Sequence, residues 1–128
     1  GVADSLRSGR NVLLDSVHRF AHRRHSLYTI ASLCDAYVLV VECVCSEMEA
    51  KRRLRERPGN SGQITDSKSL ELYDRFKEEW EQIERDTTTP EGAHVAHIVL
   101  DTERNILERK KVHPELEDVI QSIQKSIS

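Results

Sequence analysis

The apolar run Asn11–Leu14 closes on Asp15, and three histidines and three arginines follow within residues 18–25. An aspartate at the carboxyl end of a buried strand stands where α/β folds present ligand-facing residues. There it would orient a magnesium-bound water or accept the proton of a substrate hydroxyl, because phosphoryl transfer needs a placed metal and an aligned nucleophile. Its structural reading is a helix cap for the chain from Ser16 onward, where a short side-chain acceptor is favoured. His18 and His22 lie four apart and His25 three further on, near one face if the segment is helical. No glutamate follows the first histidine as in H-E-x-x-H, and Arg19 and Arg23 would sit beside the cation. The cluster therefore reads as a charged surface patch with anion binding as its functional alternative, and no metal site is expected.

The elements that must position these groups follow from periodicity. Residues 11–15 suit a short strand buried on both faces, and Phe20, Leu27, Ile30, Ala31 and Leu33 predict a helix over about residues 17–33. A second strand is expected over 37–45 and a third over 94–100, both almost unbroken apolar runs as in a covered parallel sheet. Ser46 and Glu49 make an S-x-x-E capping box that starts a helix ending before Pro58-Gly59. After a turn-rich loop, Leu70, Tyr73, Phe76, Trp80 and Ile83 predict a long helix over about 66–84, with Tyr73 and Trp80 in the core. Pro114 suits the first turn of a last helix bearing Leu116, Val119, Ile120, Ile123 and Ile127. The order implies an α/β fold with a three-layer parallel sheet, incomplete, with strands at about 11–15, 37–45 and 94–100 and flanking helices.

A length of 128 residues fits a single α/β domain over residues 1–128. Hydrophobic residues at 38% and charged residues at 32% exclude a wholly disordered chain. The net charge of -3 argues against general polyanion affinity, so nucleic acid is not expected as a partner. No apolar run is long enough to span a membrane, and no membrane partner is expected. Three cysteines, two of them Cys43 and Cys45 on one face of the second strand, predict buried free thiols and a cytoplasmic protein.

Several segments together resemble the small P-loop kinases, the group of gluconate-kinase-like, zeta-toxin-like and nucleoside-kinase-like ATP-binding proteins. GRNVLLDS is similar to the family's strand ending in aspartate, and RRHSLYTIA to the helix carrying a substrate-side arginine. YVLVVECVCSEMEAKRRLRER is similar to the next strand and the helix leading into the lid, and HIVLDTERN to the last strand and its Asp-Thr turn. The resemblance implies ATP and Mg2+ as cofactors and a small molecule or nucleoside as phosphate acceptor. It implies catalytic roles for Asp15 and Arg57, acceptor binding by Arg24, and nucleotide contacts from Arg53, Asp101 and Thr102.

No G-x-x-x-x-G-K-[ST] pattern occurs in the sequence. That loop surrounds phosphate with backbone N–H groups at a helix N-terminus and adds a lysine and a metal-binding hydroxyl. The expectation is therefore the C-terminal portion of a P-loop kinase-like domain: a phosphotransferase portion without activity alone, which binds neither ATP nor Mg2+ tightly. The missing strand leaves a gap to be filled by a homodimer partner, by an N-terminal segment, or by direct pairing of the flanking strands. The alternative function is a non-catalytic kinase-like binding or assembly module.

Overall fold

The computed structural model describes residues 1–15, 19–56 and 66–128, with backbone alone at 66–69 and 91. Its helices are α1 (Val2–Arg7), α2 (Ala21–Leu33), α3 (Glu47–Glu56), α4 (Asp66–Glu79) and α5 (Glu117–Ile127). Its strands are β1 (Val38–Val44), β2 (Val95–Asp101) and β3 (Ile106–Lys111). Short 3-10 turns occupy Glu84–Thr88, Pro90–Gly92 and Pro114–Leu116. Among the described residues no helix is long and apolar enough to cross a membrane.

The sheet order is β1-β2-β3, with β1 and β2 parallel from Val38↔Val95 to Val44↔Asp101. β2 and β3 are antiparallel, so the sheet is mixed where a wholly parallel one was expected. The reason lies in the link after β2. Asp101 Oδ1 accepts the N–H groups of Glu103 and Arg104, both at 3.0 Å, and Asn105 takes φ 55. That side-chain turn plus a left-handed asparagine reverses the chain within four residues, which an antiparallel neighbour needs and a parallel one cannot use.

β2 is the central strand, and its apolar run is explained by cover on both faces: Val95, Ala96 and Ile98 are buried. Tyr28, Ala31, Ile83 and Ile120 complete the buried apolar set. The strand expected at 11–15 is irregular chain outside the sheet, with Leu13 at 92% exposure. A short run such as Val12–Leu14 has no ladder to join unless a neighbouring strand lies beside it, and among the described residues none pairs with it.

α2 begins later than expected because Phe20, in an extended conformation, caps it without a side-chain bond. Its buried stripe is also different: Arg24, Tyr28 and Ala31 face inward while Leu33 is exposed. α3 follows the expected boundaries, but its capping box is only half formed. Ser46 Oγ accepts the Glu49 N–H at 3.2 Å, whereas the Ser46 N–H donates to Glu103 rather than to Glu49. Glu49 is drawn instead to Arg52 and Arg53. The cysteines are free thiols, but Cys43 is exposed on β1 and Cys45 half-buried just beyond it, so the expected burial of the C-x-C pair does not hold.

Candidate functional site

Val44 and Asp101 are register partners at the carboxyl ends of the two parallel strands, the place where α/β sheets present ligand-facing groups. The Thr102 N–H donates to the Val44 carbonyl at 2.9 Å, which carries the pairing one residue past β2. Arg53, from α3, reaches across to this turn. Its Nη1 donates to Thr102 Oγ1 at 2.6 Å and its Nη2 to the Thr102 carbonyl at 3.2 Å, while Nε pairs with Glu49 at 2.9 Å. Ser46 is tied to the same turn through Glu103 at 3.0 Å. Three residues expected from sequence, Arg53, Asp101 and Thr102, are thus assembled on one edge. An open cleft of about 430 Å³ lies beside it, lined by Cys45, Ala50, Arg53, Leu54 and Tyr73.

The electrostatics of this edge come chiefly from α3. Glu49 is held at about 2, well below the usual carboxylate range, mainly by its hydrogen bond from Arg52 and then by Arg53. It therefore remains an anion that fixes both guanidinium groups. Asp15 is exposed at the end of the 11–15 segment and close enough to β1 to act on Cys43. The Cys43 thiol is raised first by the desolvating strand around it and then by the Asp15 and Glu42 carboxylates. Arg57, expected in a catalytic role, and His18 lie outside the described residues.

Arg24 is elsewhere. It is 4% exposed, and its Nε donates to Asp86 Oδ2 at 2.6 Å and its Nη2 to Asp86 Oδ1 at 3.3 Å. Nη2 also reaches the Glu81 carbonyl at 2.8 Å, and the guanidinium lies 5.6 Å from the Trp80 ring centroid. The acceptor contact expected of Arg24 needs donors turned to the surface; burial and the bidentate pair turn them inward. Tyr28 donates to Asp86 Oδ2 at 2.7 Å, and its hydroxyl is raised strongly by burial and by that carboxylate. His25 approaches Asp86 at 3.8 Å, while His22 stacks on Phe20. The histidine-arginine segment is therefore divided between an interior anchor and an open surface. The surface part, with Ser26, Thr29 and Thr89, borders a shallow depression of about 490 Å³.

Asp86 was not singled out from sequence. It lies in the polar stretch RDTTTPEGA, whose proline, glycine and hydroxyls read as a connection, and nothing in its spacing marks one carboxylate as buried. Glu42 and His97, which meet at 2.9 Å, were missed for a different reason: each is the polar exception inside an apolar strand run.

A family model described as an AAA domain matches residues 2–83. The chain belongs to this P-loop NTPase-like, kinase-like domain family. The mixed three-strand sheet and five helices among the described residues are consistent with a partial P-loop-like fold. Nucleotide-binding, kinase-like function is what the family suggests. No curated protein and no solved structure matches the chain.

Proposed function

We propose that the chain is the portion of an ATP-dependent phosphotransferase, of the small-molecule or nucleoside kinase kind, that supplies the acceptor and lid side of the site. The observation that carries this reading is the contrast between the two sheet edges. β3 is charged along its outer edge, with Glu108, Arg109, Lys110 and Lys111, which suits a strand that ends a sheet. β1 is the opposite: Val38, Leu39, Val40, Val41, Cys43 and Val44 form an apolar strand with one side unpaired by any described strand. Such a strand belongs in a sheet interior. A strand ending in a phosphate loop fits between the 11–15 segment and β1, and would turn that segment into the strand that its residues favour.

In this reading ATP and Mg2+ are held mainly by the loop strand, with Arg53, Asp101 and Thr102 at the nucleotide side of the carboxyl edge. Asp15 aligns the acceptor hydroxyl and takes its proton, and Arg57 neutralises charge on the transferring phosphoryl group. Arg24 acts as a positioning residue that fixes α2 through Asp86. The second reading, a kinase-like assembly module without catalysis, rests on the same apolar edge used by a second copy of the chain.

Thermal shift with Mg-ATP separates the two. A version carrying a G-x-x-x-x-G-K-[ST] strand ahead of Gly1 is expected to gain a magnesium-dependent shift that the chain alone lacks. A concentration-dependent dimer with no ATP shift in either version would favour the assembly module. Equal ATP binding by both versions would overturn the role given to the loop.

A further inference from the structure

We propose that Glu42, Glu84 and His97 form a binding site for a first-row divalent cation, zinc above all, that fastens the Glu84–Thr88 turn to the sheet. The three residues come from β1, the turn and β2, and one ligand atom from each lies within 4.8 Å of the others. His97 is register partner of Val40 and Val99 of Glu42, so Glu42 and His97 are diagonal neighbours on one sheet face. His97 is fully buried, the Glu42 side chain is 16% exposed, and Glu84 is at the surface. The site thus has a buried floor and an open mouth.

His97 offers a cation a ligand atom in one of its two neutral tautomers. Nε2 stands 2.9 Å from Glu42 Oε1, and Nδ1 has no hydrogen-bond partner among the described residues. A neutral imidazole carries one proton. On Nε2 it serves Glu42 and leaves Nδ1 a buried lone pair; on Nδ1 it sets the Nε2 lone pair against a carboxylate. In the second tautomer a cation at Nε2 would bind both that lone pair and the Glu42 carboxylate. Nδ1 is unpartnered in either tautomer and does not bear on the choice.

Local charge agrees. Lys110 donates to Glu108 at 3.0 Å, and the more distant Glu84 and Glu42 also raise it. Lys111, register partner of His97, donates to the Thr87 and Gly92 carbonyls at 3.1 and 3.5 Å, so three carboxylates face two ammonium groups and the surroundings keep an excess of negative charge that favours a cation. One imidazole with carboxylates suits Zn2+ or a similar transition ion better than Mg2+ or Ca2+, which prefer all-oxygen shells. The turn so held also carries Asp86, so the cation would brace the anchor that fixes α2.

The test is calorimetric titration of Zn2+ into the full chain with Cys34, Cys43 and Cys45 changed to serine, alongside Co2+ absorption spectra of the unaltered chain. One Zn2+ per chain is expected, with a rise in Tm that Mg2+ does not give and a Co2+ spectrum lacking thiolate charge-transfer bands. Glu84→Gln, at an exposed position that leaves the core intact, should weaken binding at least about tenfold, and Glu115→Gln should not. Absent binding, equal affinity in Glu84→Gln, or a thiolate band that accounts for all bound Co2+ would overturn the assignment.

Discussion

A buried arginine stays charged at little cost only while its counter-charge stays in place. Replacing Asp86 with alanine leaves Arg24 at 4% exposure without its bidentate partner, and should cost about 3–5 kcal/mol in urea unfolding. The double change Arg24→Met with Asp86→Leu should cost clearly less, because no unpaired charge remains. Gly92 belongs to the same anchor: a Cβ there would run into the Asp86 carbonyl and lie 2.9 Å from Thr87 Cα. Gly92→Ala should therefore destabilise by about 1–3 kcal/mol, measured by the same unfolding. Arg24 was read as an acceptor-binding arginine; its pairing with Asp86 was not legible, because the pair spans 62 residues and the sequence shows no mark of burial at Asp86.

Among the elements, α3 is the one most fully legible, since its length, its charge pattern and the Ser46 half of its cap are all local. Ser46→Ala removes the acceptor for the Glu49 N–H and should cost about 0.5–2 kcal/mol. Glu49 gives a pH signature with a defined sign. Its folded-state value is lowered from the usual 4.5 to about 2, so its contribution is complete above 4.5 and is lost as pH falls through that window. Far-ultraviolet circular dichroism should show helix loss over that range, reduced in Glu49→Gln and small in size, because exposed pairs are screened by solvent and salt. The 11–15 segment and β3 were misread most, beside the start and buried face of α2 and the helix expected to about 84, which ends at Glu79. The first has strand composition but no partner strand, and the second follows a side-chain turn that was read as a plain connection. Leu13→Asp should accordingly change stability in this chain by no more than about 0.5 kcal/mol, as expected for a residue 92% exposed.

At the scale of the whole molecule, the α/β class, the parallel pairing of β1 with β2 and the family were readable because apolar runs and their order are strong signals. The direction of the last strand depended on two turn residues, Asp101 and Asn105, and the choice of which α2 face is buried depended on a distant carboxylate. Three of the sequence-expected site residues meet at one carboxyl edge, and an apolar strand beside them lies open for a neighbour. Hydrogen exchange on the chain extended by a phosphate-loop strand, with and without Mg-ATP, tests that account most directly. It predicts new protection along β1 from the added strand, and ATP-dependent protection at residues 101–104 and in α3 around Arg53. Protection by ATP confined to other segments, with β1 exchanging as in the chain alone, would contradict it.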